Sequence, residues 1–186
     1  MKVALITGAS GQDGWYLHEL LKSKGYIVKC INRGDDIHEC VLDCIEYSQI
    51  EIYNLAAQSH VGKSFKNATN TFQTNTETIL SILETVKHLG IQYKCKIFQA
   101  SSSEMLGEPS CLYGISKLSA HLIAKHFRET YDMFVCSGIL YNHESPRRKD
   151  TFVTQKIIQG LKSGECFTLG NIEARRDWGH AKDYVE

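Results

Sequence analysis

The chain has 186 residues, one ordinary domain's worth, long enough to bury a core and too short for a large multidomain machine. Lys+Arg 21 balance Asp+Glu 21, with 42% hydrophobic and 23% charged residues, which excludes a disordered chain and one that binds nucleic acid through bulk charge. No apolar run approaches the roughly eighteen residues of a membrane helix, and MKVALIT meets a glycine too early for a signal peptide. A soluble, cytoplasmic protein with no membrane or nucleic-acid partner is expected. Seven cysteines (30, 40, 44, 95, 111, 136, 166) form no CxxC pair, and the odd count favours buried or free thiols over a disulfide framework.

The apolar run at 2–7 predicts a first strand ending at Thr7-Gly8, and Trp15, Leu17, Leu20 and Leu21 predict a helix directly after the glycines. Lys24-Gly25 closes that helix, and a second strand is expected from Tyr26 to Ile31. Further strands are expected near 50–55, 96–101, 134–140 and 166–169, with helices near 37–48, 69–89, 113–130 and 150–163. Strand alternating with helix, the strands near-continuously apolar, predicts an α/β fold: a doubly wound parallel sheet of Rossmann type. Only Pro109 and Pro146 punctuate it, and no linker or repeat divides it, so residues 1–186 read as one domain.

Gly8, Gly11 and Gly14 stand at GxxGxxG spacing between the first strand and the first helix. Glycine there permits a tight turn and lets the backbone approach a pyrophosphate, while the helix N-terminus attracts the phosphates. At the end of the second strand NAD sites carry an acid for the ribose 2′-OH and NADP sites a cation for the 2′-phosphate. Arg33 leans the reading towards NADP, although Asp35 and Asp36 stand close by.

Tyr113 and Lys117 are four residues apart at the start of a helix, on one face. An ammonium beside a phenol lowers its pKa from about 10, so that it can exchange a proton with a substrate hydroxyl near neutral pH. The run Ser101-Ser102-Ser103-Glu104 lies at the carboxyl end of a preceding strand, where open α/β sheets bind ligands. A serine there can hydrogen-bond the same hydroxyl, and Glu104 supplies a carboxylate able to take a proton from carbon. No residues are assigned to a metal.

Taken together, TGASGQDG, IYNLAAQSHV, QASSSE, YGISK, ILYNHESPRR and LGNIEARRDWGHAKDYVE resemble the GDP-mannose 4,6-dehydratases, a family of extended short-chain dehydrogenases/reductases. The resemblance covers nearly the whole chain. It implies oxidation of the mannose carbon 4 by tightly held NADP with Tyr as base, removal of the carbon 5 proton by Glu, loss of water from carbon 6, and return of the hydride there. The product is GDP-4-dehydro-6-deoxy-mannose, a precursor of fucose and related deoxysugars. Carried over by motif, the resemblance implies Ser102 (Thr in the family), Glu104, Tyr113 and Lys117 as catalytic residues. NADP is implied at Gly8, Ala9, Ser10, Gly11, Gln12, Asp13, Arg33, Leu55, Ala56, Ala57, Gln58, Ser59, Lys117, His143 and Arg148, and the sugar nucleotide near Asn142, Lys156 and Arg176.

The chain departs from the family in three places. Between Arg33 and Ile50 it lacks a long loop and a strand, so the sheet is expected to lose one strand and take the flavodoxin-like order, at a cost in cofactor grip and in the family's tetramer. Only Met105 to Leu112 separate Glu104 from Tyr113. That segment spans at most about 26–29 Å, enough for the two groups to meet with a reduced pocket wall. Asn70 replaces a Tyr near NADP. The third departure is at Glu186, where the substrate-binding part begun at 142 is expected to be cut short, leaving apolar faces that favour instability, aggregation or pairing with another chain.

Two functions of different class follow: an NADP-dependent lyase acting on GDP-mannose, as a homo-oligomer or with a full-length relative, and a non-catalytic remnant that binds nucleotide or docks on a full-length subunit. A sugar epimerase reading is weaker, because carbon-4 epimerisation does not need Glu104.

Overall fold

A computed structural model describes residues 1–164 and 166–186. Val3, Ala4, Leu5 and Ile6 are all buried in β1 (Lys2–Thr7), as a parallel strand covered on both faces requires. Four more strands join it: β2 (Ile27–Ile31), β3 (Gln49–Asn54), β4 (Cys95–Ser102) and β5 (Phe134–Leu140). All pair in parallel, in the order β2-β1-β3-β4-β5. The chain leaves β1 towards β2 on one side and reaches β3 on the other, so the sheet has the expected flavodoxin-like order with its switch point between β1 and β3.

Helices cover both faces. On one lie α2 (Ile37–Leu42), α4 (Ala68–His88) and α5 (Leu112–Tyr131), where Ile79, Ile82, Leu83 and Val86 of α4 and Ala120 and Ala124 of α5 pack on Val3, Leu5, Ile50, Ile52 and Ile97. Each such aliphatic burial contributes roughly 1.5–3 kcal/mol for an Ile or Leu. On the other, Leu17 and Leu21 of α1 (Gln12–Ser23) pack on Ala4 and Ile6. That second face is covered less completely, for Phe134 and Cys136 of β5 are exposed.

The structure corrects several expected bounds. The helix expected over 37–48 stops at Leu42, because Cys44, Ile45 and Tyr47 donate their N–H groups three residues back, to Val41, Leu42 and Cys44, and the chain tightens into turns. The helix expected from 150 is α6 (Val153–Ser163), with Phe152 at its N-cap. No strand forms over 166–169; Phe167 folds back, and its ring fills the space over Gly160 that a side chain there would need, a Cβ coming within 2.0 Å of it. The late strand is instead β7 (Trp178–His180), parallel to β6 (Asn142–Glu144) and followed by α7 (Ala181–Tyr184). These, and α3 (Val61–Ser64), are too short to show a period in sequence. All seven cysteines are free; Cys44, Cys95 and Cys111 are buried, whereas Cys30, Cys136 and Cys166 are exposed rather than part of the core.

Candidate active site

The glycine loop is shaped by close approaches. Gly8 has φ +71°, and a Cβ there would lie 2.9 Å from the Ala56 nitrogen. A Cβ on Gly14 would lie 2.4 Å from the Gly8 carbonyl oxygen, so only glycine lets α1 start so close to the turn. Ala9 and Ser10 form that turn and Gly11 is the N-cap of α1. Leu55 and Ala56 reach the loop through their N–H groups, which donate to the Thr7 hydroxyl at 3.1 and 3.0 Å. Ala57 and Ser59 continue that strand-end segment, and between them the Gln58 N–H donates to Asn75 Oδ1 at 2.8 Å.

Arg33 is exposed in the turn after β2. The two nearby acids are engaged with backbone: Asp35 accepts from the Asn32 N–H at 2.7 Å, and Asp36 caps α2 by accepting from His38 and Glu39. Gln12 and Asp13 turn towards β6. Gln12 Nε2 donates to the His143 carbonyl at 3.1 Å, the Ser145 hydroxyl donates to Gln12 Oε1 at 2.8 Å, and His143 Nε2 lies 2.8 Å from Asp13 Oδ1.

The catalytic candidates meet where β4 ends and α5 begins. Ser102 caps a short 3-10 turn, Ser103–Met105, its hydroxyl accepting from the Glu104 N–H at 3.2 Å. Cys111 caps α5 by accepting from the Gly114 N–H at 3.5 Å. Gly114 brings the two turns together, since a Cβ on it would lie 2.4 Å from the Glu104 carbonyl oxygen. Tyr113 is thereby buried, close enough to Ser102 for that hydroxyl to influence its phenol. Burial pushes that phenol above its ordinary value; Ser102 and Arg148 oppose the rise and Glu104 adds to it. The expected lowering by Lys117 is not what the geometry sets up here. The Lys117 ammonium donates to the Ala100 carbonyl at 2.9 Å, and burial lowers its pKa to about 8 against a smaller opposing pull from Asp13.

His143 is buried with acceptors at both nitrogens, Asp13 at Nε2 and the Tyr141 carbonyl at Nδ1, 2.7 Å away, and it stacks on Tyr184 at 4.2 Å. Burial is the largest single influence and works to lower its pKa, but the Asp13 hydrogen bond and charge with the Tyr141 carbonyl outweigh it and hold the imidazole above its ordinary value. Arg148 lies 3.6 Å over the Phe152 ring and faces Glu144 at 3.4 Å, an ion-pair distance without hydrogen-bond geometry.

A cleft of about 340 Å³ opens beside these groups, lined by Ser103, Glu104, Tyr141, Asn142, Arg176 and their neighbours. Asn142 and Arg176 thus join Glu104, while Lys156, exposed on α6, is not part of that lining. Arg175 and Asp177 also line it; in sequence their one signal is the charged run around Arg176.

A five-stranded parallel sheet with a glycine turn at its switch point and a Tyr-Lys helix beyond it defines a Rossmann-type α/β protein, and solved structures agree. A dTDP-glucose 4,6-dehydratase from Streptomyces venezuelae, with NAD and TYD bound, matches at TM-score 0.84 and 21% identity over 100% of this chain and 70% of its own. A UDP-glucuronic acid 4-epimerase from Bacillus cereus, in complex with UDP-glucuronic acid and NAD, matches at 0.85 and 21% over 100% and 71%. Sequence is more specific. The family described as GDP-mannose 4,6 dehydratase matches residues 35–186. A GDP-mannose 4,6-dehydratase of Vibrio cholerae is 39% identical over 100% of this chain and 62% of its own length, and one of Homo sapiens 42% over 99% and 63%. The chain belongs to the GDP-mannose 4,6-dehydratase family. It spans less than two thirds of these relatives' length, and the Vibrio alignment runs over 233 positions against 186 residues, so that relative has internal segments with no counterpart here.

Proposed function

We propose that this chain is an NADP-dependent lyase of the GDP-mannose 4,6-dehydratase type, converting GDP-mannose to GDP-4-dehydro-6-deoxy-mannose in a cytoplasmic route to GDP-fucose and related deoxysugars. The observation that carries it is the contact of Gly114 with Glu104, which seats the first turn of α5, with Tyr113, against the turn after β4, with Ser102 and Glu104, beside a cleft that Glu104 lines.

The residues present fit a dinucleotide. Gly8 and Gly14 make a turn with no room for side chains at the N-terminus of α1, and Arg148 holds a buried Nε–H with no hydrogen-bond partner. Asp35 and Asp36 are held by backbone groups, which leaves Arg33 as the charge suited to a 2′-phosphate. A nicotinamide dinucleotide held there would supply temporary hydride storage, so that water could be lost from the sugar with no net redox change.

The chain's own residues handle protons. Tyr113 takes the proton of the 4-hydroxyl, with Ser102 and Arg148 both favouring its ionised form. Lys117, one turn along α5, is held by the Ala100 carbonyl. Glu104 removes the carbon 5 proton, made acidic by the neighbouring ketone, and the carbon 6 hydroxyl leaves with a proton as water. Asn142 and Arg176 hold the sugar nucleotide across the cleft, with Lys156 as a further contact from α6. Deuterium from solvent D2O at carbon 5 of the product tests the role of Glu104: wild type incorporates it, and Glu104→Gln neither incorporates it nor releases water while still binding nucleotide. Wild-type turnover in Glu104→Gln contradicts it.

A second reading, nucleotide binding without turnover or docking on a full-length relative, draws on two features: α6 has no buried residue, and Phe134 stands open on β5. Equal GDP-mannose binding by wild type and Tyr113→Phe, with product from neither, favours it. The lyase reading includes assembly as a homo-oligomer or with such a relative.

A further inference from the structure

Behind the catalytic turn, the ends of β1, β3 and β4 are joined by a buried line of hydrogen bonds. The Thr7 hydroxyl donates to Asn54 Oδ1 at 2.7 Å, Asn54 Nδ2 donates to Gln99 Oε1 at 2.7 Å, and Gln99 Nε2 donates to the Ala100 carbonyl at 3.0 Å. That carbonyl is also the acceptor for the Lys117 ammonium. Thr7, Asn54, Gln99 and Lys117 are all buried, and buried polar groups of this kind are kept where each finds a hydrogen-bond partner.

The direction of the line is fixed from one end. Because the Thr7 oxygen already accepts from the Leu55 and Ala56 N–H groups, its own proton must go to Asn54. Asn54 must then turn its amide nitrogen to Gln99, and Gln99 its nitrogen to Ala100, so neither amide can flip without stranding a buried donor. The backbone of the loop at 55–56 therefore dictates how the acceptor of Lys117 is occupied.

We propose that Gln99 is a positioning residue for Lys117, the last link of a hydrogen-bond ladder that couples the 55–59 loop to the Tyr-Lys helix. The inference rests on reading both ends as parts of one dinucleotide-dependent site. Gln99 fills one lone pair of the Ala100 carbonyl and leaves the other for Lys117, which holds the ammonium in one place. The charged group facing Lys117 from outside its helix is Asp13 of α1; Tyr113 precedes it by one turn on α5.

The test is the titration of Lys117, followed by NMR of the lysine side chains in the full chain without nucleotide, beside NADP affinity. Gln99→Glu places a carboxylate at the shared carbonyl and raises the Lys117 midpoint by about one pH unit or more. An unchanged midpoint overturns the proposal, whether or not the chain turns over GDP-mannose, so its failure is separable from that of the lyase reading. Gln99→Met weakens NADP binding about tenfold while the fold is kept; wild-type affinity in that variant contradicts the ladder. Should Gln99→Met not fold, Thr7→Val and Thr7→Ser decide: loss of affinity in the first and retention in the second support the coupling, and equal affinity in both overturns it.

Discussion

Gly114 and Glu104 approach more closely than any side chain at 114 would allow, a Cβ there lying 2.4 Å from the Glu104 carbonyl oxygen. The glycine is what lets the first turn of α5 seat against the turn after β4, and with it the phenol of Tyr113 against Ser102. Gly114→Ala must push these turns apart. It is expected to cost about 1–3 kcal/mol in thermal or urea unfolding, and to lower turnover on the order of a hundredfold through misplacement of Tyr113.

Lys117 gives stability a signature at alkaline pH. Burial lowers its pKa from 10.5 to about 8, so between those values the unfolded chain binds a proton that the folded chain does not. Stability from this group rises with pH across that window. Relative to Lys117→Met, wild type should gain thermal stability from about pH 8 to 10.5, and a constant difference would contradict the burial.

The Asp13–His143 contact acts in the opposite direction. Its folded imidazole lies above the ordinary value, so its contribution is fully present below about 6.5 and fades as pH rises through the folded value. The stability difference between wild type and Asp13→Asn should therefore be largest at mildly acidic pH and shrink as pH rises. Because Gln12 and Asp13 open α1 directly after the glycine turn, the same variant should also weaken nucleotide binding.

Arg33 is expected to set the coenzyme preference. Arg33→Asp should reduce NADP affinity by about tenfold or more and spare or improve NAD binding, since the 2′-phosphate loses its cation and the ribose hydroxyl gains an acceptor. Titration with each nucleotide in turn checks this. Equal loss for both would assign Arg33 to the fold rather than to the phosphate.

The central elements were legible because their signals are local. The alternation of Val3 to Ile6 between two buried faces, the glycines at 8, 11 and 14, and the Tyr113–Lys117 spacing each report a geometry fixed within a few residues. Even the altered strand order followed from the short segment after Arg33. What escaped was set by distant contacts. Phe167 packs on Gly160 instead of entering a strand, and β6 pairs with β7 across more than thirty intervening residues. Three-residue strands leave no period to read. The Tyr113–Lys117 spacing suggested that the ammonium would set the phenol's acidity, but spacing cannot show that the Ala100 carbonyl claims the lysine or that burial governs the phenol. A buried amide in a strand, such as Asn54 or Gln99, announces itself only once its partners are seen.

The most direct measurement is incubation of the purified chain with GDP-mannose and NADP, followed by mass spectrometry of the sugar nucleotide. Wild type is expected to remove one water from GDP-mannose and Tyr113→Phe none, with nucleotide binding intact in both. Folded wild type that binds both ligands and leaves the mass of GDP-mannose unchanged would contradict the lyase reading.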